Sequence, residues 1–318
     1  MRYWGGGHKL GKFAVLVAAF VLVLAPSSAL AKKKHKKPKT LGPVVTVAAT
    51  GPTVSTSGDF SVADATCPAG LQAVGGGFSA PYDGTTAAFV VTESYRSSPS
   101  TWRVRALDGD GVGAATAYAY CRRNNKVITD VTASATTASG FGQNAKAQAL
   151  CSPGVAAISG GFQITSGPGA TTAVPTESIG GGPTPGGIPS VGNWSVGAQN
   201  ISSSETITAH VYCMAGIKLP AFQQVQNSAT VGRLGSVTAS ANCPPAPKPK
   251  KKGKKKKKKK KPAQLLSAGA FYSPFPPGSS MVFPIHTESR IDGSGFIDRA
   301  INNGSGGTLT VQSQAMCF

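Results

Sequence analysis

Alternate positions counted back from each of three cysteines separate two kinds of residue. Upstream of Cys121 one phase reads Ala119, Ala117, Ala115 and the other Tyr120, Tyr118, Thr116. Upstream of Cys213 the phases are Val211, Ala209, Ile207 and Tyr212, His210, Thr208; upstream of Cys317 they are Ala315, Ser313, Val311 and Met316, Gln314, Gln312. A period of two is the mark of a strand, with the small apolar phase facing a core and the amphipathic phase facing outward. The same alternation holds around Trp102, where Val104 and Ala106 share its phase and Arg103, Arg105 and Leu107 take the other.

The rest of the chain agrees. Val, Thr, Ala, Tyr and Phe fall in short runs broken by Gly, Ser, Pro or Asn, which reads as strands and turns. Runs such as Val44 to Ala49 and Val127 to Ala135 add further strands. Past the N-terminal segment no stretch keeps a helical period, so the expected class is all-β.

The strands recur in three copies. Copy one runs Cys67-Pro68-Ala69-Gly70, Gly76-Gly77-Phe78, Thr92-Glu93-Ser94, Trp102-x-Val104-x-Ala106 and Tyr120-Cys121. Copy two runs Cys151-Ser152-Pro153-Gly154, Gly160-Gly161-Phe162, Thr176-Glu177-Ser178, Trp194-x-Val196-x-Ala198 and Tyr212-Cys213. Copy three keeps the order as Cys243-Pro244, Gly269-Ala270-Phe271, Thr287-Glu288-Ser289, Phe296, Ala300 and Met316-Cys317. The repeats span residues 43–124, 125–217 and 218–318.

Six cysteines leave their pairing open on count alone, and the repeat phase selects Cys67 with Cys121, Cys151 with Cys213 and Cys243 with Cys317. Zinc needs closely spaced ligands and no C-x-x-C is present, so neither a metal nor a cofactor is expected. A disulfide closing a loop of such length adds about 4 kcal/mol in the chain-entropy account. The expected architecture is three tandem disulfide-closed β-sandwich-like repeats, with three copies closing as a β-prism as the alternative.

The N-terminus has a basic start (Arg2, Lys9, Lys12), an apolar run from Phe13 to Ala25 and small residues at Ala29 and Ala31. That is the layout of a secretory signal peptide over residues 1–31, and with paired cysteines it predicts export. No other segment is long and apolar enough to span a membrane.

The formal charge of +20 suggests a nucleic-acid binder until it is located. Six lysines lie between 32 and 39, in a basic linker over residues 32–42, and twelve lie between 248 and 261. With these and the three upstream positive residues set aside, the body balances at −1. From opening cysteine to Phe is eleven residues in copies one and two (67 to 78, 151 to 162) and twenty-eight in copy three (243 to 271), which reads as a seventeen-residue insertion. Most of it is the lysine-rich segment 247–262, where like charges oppose collapse.

The expected polyanion-binding residues are Lys250, Lys251, Lys252, Lys254, Lys255, Lys256, Lys257, Lys258, Lys259, Lys260 and Lys261. The partner class is an anionic envelope polymer, such as teichoic acid or acidic polysaccharide, or another polyanion, including nucleic acid bound nonspecifically. Base recognition is not expected, because no aromatics are interleaved with the lysines.

Catalytic chemistry is poorly supplied, and no catalytic residue is expected. His210 falls on the outward phase of its strand, and His286 aligns with Val91 and Pro175, so neither histidine belongs to the repeat. The repeated Thr-Glu-Ser reads chiefly as a local structural motif satisfying backbone donors. A hard-cation site formed by Glu93, Glu177 and Glu288 on a threefold axis is the competing reading. Asn193, Asn200 and Asn303 head glycosylation-type sequons.

The Cys-Pro-x-Gly, Gly-Gly-Phe, Glu-Ser, Trp-x-Val-x-Ala and Tyr-Cys series resembles a repeat of secreted proteins from high-GC Gram-positive bacteria, function unassigned. The resemblance covers nearly all of residues 43 to 318. It implies an extracellular β-domain and transfers no catalytic residue. The expected function is a secreted, noncatalytic binding or structural protein of the cell surface or surroundings. A secreted enzyme acting on extracellular or cell-wall polysaccharide, through acids such as Glu93 or Glu177, is the alternative.

Overall fold

A computed structural model of the chain describes residues 44–81, 89–109, 111–123, 126–166, 173–181, 192–201, 203–216, 223–244, 265–272, 284–293, 295–304 and 306–317. Regular structure among these residues is all strand. Copy one supplies β1 (Val45–Thr50), β2 (Phe60–Thr66), β3 (Gln72–Ser79), β4 (Phe89–Ser98), β5 (Thr101–Asp108) and β6 (Thr116–Arg122). Copy two supplies β7 (Ile128–Thr136), β8 (Asn144–Leu150), β9 (Ala156–Ser166), β10 (Ala173–Gly180), β11 (Asn193–Asn200) and β12 (Glu205–Met214). Copy three supplies β13 (Gln223–Val231), β14 (Ser236–Asn242), β15 (Leu265–Tyr272), β16 (Pro284–Asp292), β17 (Gly295–Asn302) and β18 (Leu309–Cys317). Among the described residues no helix is long and apolar enough to cross a membrane.

Each copy folds as two three-stranded halves, and each half is completed by a different neighbour. The three six-stranded sheets run β2-β5-β4-β9-β12-β7, β8-β11-β10-β15-β18-β13 and β14-β17-β16-β3-β6-β1. Copy one therefore shares a sheet with copy two, two with three, and three with one. The copies are sandwich-like within themselves, but they are not beads on a string. Sheet sharing closes them into the three-sided arrangement of a prism, and the described residues form one compact unit.

The disulfides follow the repeat phase: Cys67–Cys121, Cys151–Cys213 and Cys243–Cys317, with Cα separations of 5.6, 5.7 and 5.5 Å. In each copy the first cysteine directly follows the second strand and the other lies on the sixth, or ends it in copy three, so every bridge ties two different sheets together. A core of small side chains lies between the halves. Ala63, Ala65, Ala117 and Ala119 in copy one are at most 1% exposed, as are Ile207, Ala209 and Val211 in copy two. Small residues allow sheets to approach closely; the large rings Phe78, Trp102, Phe162 and Trp194 gather where all three sheets meet.

The outward phase of the sixth strand is less wet than the alternation predicts. Thr116, Tyr118 and Thr208 are half-buried, but Tyr120, His210 and Tyr212 are buried. The reason is that the neighbouring copy covers them, which a single strand's periodicity does not report.

Strand register also corrects the alignment of copy three. Ser94 pairs with Phe162 and Ser289 with Phe78, whereas Ser178 pairs with Ala270. Ala270, not Phe271, therefore occupies the place of Phe78 and Phe162, and Ala268-Gly269-Ala270 is the counterpart of Gly-Gly-Phe. Bulges after Ala73 and Leu265 keep the same offset. The distance from Cys243 to its counterpart is then twenty-seven residues against eleven, and the insertion is sixteen residues long.

Candidate functional site

The repeated motifs meet at the seams between copies. Among the described residues two strand-ladder pairs join each seam: Glu93 with Gln163 and Ser94 with Phe162, Glu177 with Phe271 and Ser178 with Ala270, and Glu288 with Ser79 and Ser289 with Phe78. Thr-Glu-Ser of one copy thus pairs with the Gly-Gly-Phe position of the next. In all three copies the threonine sits at a β-bulge, where the register shifts between Val91 and Glu93, Pro175 and Glu177, and His286 and Glu288. The extra residue of a bulge re-aims the side chains that follow it.

The second glycine allows the seam to close. A Cβ on Gly77, Gly161 or Gly269 would lie 2.2, 2.4 or 2.2 Å from the carbonyl oxygen of Ser289, Ser94 or Ser178. Above the bare Gly161, Tyr95 stacks on His210 with centroids 4.9 Å apart; the Arg290 guanidinium similarly lies 5.7 Å from the Tyr118 ring in the seam containing Gly77. The first glycine lies under an indole: a Cβ on Gly76 or Gly160 would fall 2.2 Å from the Trp102 or Trp194 ring.

Two tyrosines close the seams further. The Arg96 backbone N–H donates to the Tyr212 hydroxyl at 2.6 Å, and the Ile291 N–H donates to the Tyr120 hydroxyl at 2.6 Å. Burial pushes both phenols well above the usual tyrosine range, despite the opposing effect of those hydrogen bonds. Copy three has Met316 at this place, so the two–three seam lacks a phenol there.

The motif glutamates do not converge on the axis. They lie on the opposite face of each sheet from the serines, and each pairs with cations of its own copy: Glu93 with Arg105 at 3.3 Å, Glu177 with Lys146 at 2.7 Å, and Glu288 with Arg290 at 2.6 Å and Arg299 at 3.4 Å. Lys146 reaches its partner from β8 because Gly197 leaves the intervening strand bare. No group of three or more His, Cys, Asp or Glu among the described residues could hold a metal.

The serines face a small central cavity of about 30 Å3, lined by Ser94, Ser178 and Ser289 with Trp102, Trp194 and Phe296. That is room for a water-sized guest. The Trp102 and Trp194 indole N–H groups donate to Ser94 and Ser178 Oγ, each at 3.1 Å.

Copy three bonds its serine differently. Phe296 has no N–H to donate, and Ser289 Oγ donates instead to Asp298 Oδ1 at 2.7 Å. His286 Nε2 lies 3.4 Å from that same oxygen. Asp298 is fully buried, His286 is 4% exposed, and Asp298 Oδ2 has no hydrogen-bond partner. A nucleophilic serine needs its hydroxyl on the imidazole and the carboxylate behind it. Here the carboxylate lies between the two, so Ser289 is not primed to attack. Sequence reasoning missed Asp298, although its signal is legible: it stands two residues after Phe296, where copies one and two have Val104 and Val196.

The predicted polyanion-binding lysines, Lys250 to Lys252 and Lys254 to Lys261, lie outside the described residues, as do the basic linker and the signal segment. Their points of attachment are described. In copies one and two the turn after the opening cysteine is tight: Leu71 N–H donates to Pro68 O and Val155 N–H to Ser152 O, both at 3.0 Å, with Gly70 and Gly154 at φ of 78°. In copy three the corresponding stretch of sequence carries the insertion and lies outside the described residues. It leaves after Cys243 and returns at Leu265, which pairs with Cys317, the disulfide partner of Cys243. One bridge thus clamps both ends of the insertion. The basic linker joins the fold at the corresponding bridge of copy one, where Val45 pairs with Cys121.

Asn193 and Asn200 are fully buried, which closes them as sugar acceptors, whereas Asn303 is exposed. No protein-family model matches the chain, and no curated protein is found to be similar to it.

Proposed function

We propose that this is a secreted, noncatalytic protein of the cell surface or its surroundings, a disulfide-stapled scaffold whose lysine segments attach it to polyanions such as teichoic acid or acidic polysaccharide. One observation carries the reading. The lysine insertion lies in sequence between Cys243 and Leu265, and Leu265 pairs with Cys317, the disulfide partner of Cys243, so a dense positive charge is joined to a body whose own charges balance. Attraction of this kind is long-ranged, indifferent to sequence and weakened by salt. Three disulfides within one compact unit agree with life in an oxidising compartment. The motif carboxylates are engaged in ion pairs, and the copy-three serine lacks a relay.

The test is deletion of residues 247–262, followed by salt-gradient elution from immobilised lipoteichoic acid and from a polyphosphate column. The deletion is expected to elute at clearly lower salt from both, with near-ultraviolet circular dichroism unchanged. Equal retention of the two proteins would overturn the proposal.

A further inference from the structure

We propose that the central cavity binds a water molecule hydrogen-bonded to Ser94, Ser178 and Ser289, a guest shared by all three copies. The cavity measures about 30 Å3 and takes one motif serine from each copy. One water needs roughly 10–15 Å3 of such space and two to four polar partners. The rest of the lining is bare glycine backbone and rings, His286 among them, with Trp102, Trp194 and Phe296 as one ring from each copy.

The donors follow from how each hydroxyl is already engaged. Ser94 Oγ accepts from the Trp102 indole and Ser178 Oγ from the Trp194 indole, each at 3.1 Å. An indole N–H only donates, so in both contacts the serine is the acceptor and keeps its own proton. Among the described residues neither proton goes to a protein acceptor, and a hydroxyl proton turned into a cavity walled by rings needs an acceptor there.

Copy three supplies the opposite. Ser289 Oγ donates to Asp298 Oδ1 at 2.7 Å, which uses its one proton and leaves its lone pairs to accept. The three serines therefore offer two donors and one acceptor. A water oxygen accepts from Ser94 and Ser178, and a water proton goes to Ser289 Oγ, which makes the three hydrogen bonds usual for a buried water. A halide would accept from the first two serines and face the lone pairs of the third. An apolar guest would leave all three unanswered.

This accounts for the divergence of copy three. With tryptophan at Phe296 and valine at Asp298, as at the corresponding places of copies one and two, the cavity would present three donors and no acceptor. The change of both residues suits it to a neutral guest. That guest lies where the seams meet, since Ser94 pairs with Phe162, Ser178 with Ala270 and Ser289 with Phe78. One molecule thus bonds to all three copies, including copies three and one, which no direct linker joins.

Oxygen-17 magnetic relaxation dispersion on the disulfide-bonded chain tests this, because it counts waters held for longer than the protein takes to tumble. Ser178→Thr keeps the hydroxyl that accepts from Trp194 and adds a methyl group to the cavity; Ser94→Thr does the same from copy one. Each variant is expected to lose one long-lived water relative to the unsubstituted chain, and either suffices if the other does not fold. An unchanged count in the folded variants would overturn the proposal. Crystals grown in sodium bromide test the neutrality of the guest. No anomalous bromide peak is expected between the three serines, and a peak there would overturn water as the ligand.

Discussion

The Tyr212 hydroxyl, on the sixth strand of copy two, accepts the Arg96 backbone N–H of copy one at 2.6 Å across 116 residues of chain. Tyr120 does the same for Ile291 of copy three. Each phenol joins two copies at a seam where, among the described residues, two residue pairs make up the strand ladder. Tyr212→Phe and Tyr120→Phe should each leave a backbone donor unsatisfied and cost about 1–3 kcal/mol, measured by urea unfolding. Met316→Leu, at the two–three seam, serves as the control.

These phenols also predict the alkaline limit of the fold. Their folded-state ionisation is pushed above that of the unfolded chain by burial. The stability they contribute is complete below the unfolded tyrosine pKa of about 10 and is lost as pH rises through the folded value. Thermal stability should therefore fall from about pH 10 upward, and the Tyr120→Phe, Tyr212→Phe double variant should show a shallower decline. A tyrosinate absorbance titration at 295 nm should count two phenols that ionise only on unfolding.

Gly161→Ala should be among the most damaging single-methyl additions in the chain. The new Cβ would meet the Ser94 carbonyl at 2.4 Å, a backbone atom that cannot swing aside. A loss of about 2–3 kcal/mol is expected, seen as a lower urea midpoint. Gly58→Ala meets no atom within 4 Å, although its positive φ of 93° adds a backbone cost of about 1 kcal/mol, and it should be the milder change.

The overlap of glycine and indole predicts a coupling in copy three. Gly76 and Gly160 lie under Trp102 and Trp194, while copy three has Ala268 and Phe296 at those places. Phe296→Trp alone should destabilise by about 1–3 kcal/mol through overpacking. Ala268→Gly in the same chain should recover much of that loss, since glycine is what copies one and two have beneath Trp102 and Trp194, and coupled sites do not add independently. A double-mutant cycle on unfolding free energies measures the coupling; additive effects would exclude it.

Much of the fold is legible in the sequence. The cysteine pairing follows from motif order, because Cys67 and Cys121 bracket one copy as Cys151 and Cys213 bracket the next. The inward phase of the sixth strands is likewise correct at Ala117, Ala209 and Ser313, all fully buried. What escaped is what depends on a neighbouring copy. Tyr212 reads as outward-facing until copy one covers it, and Glu93 and Ser94 read as a local structural motif until the facing Gly161 is known. Phe271 lies one residue past the motif place that Ala270 occupies opposite Ser178, and residue type alone does not distinguish the two without the register. Asp298 and His286 are far apart in the repeat pattern, and only the pairing of β16 with β17 brings them together.

Shared sheets bear on heredity. A lone copy would carry a Thr-Glu-Ser border on one side and a Gly-Gly-Phe border on the other, each the complement of the other and neither filled. Three such borders satisfy one another around a ring, so this chain is arranged as a homotrimer would be if its subunits had been spliced end to end. Splicing frees each subunit from being identical. Copy three could then exchange a tight turn for a lysine tract and a tryptophan for a phenylalanine, while copies one and two kept the borders on which its own sheets depend.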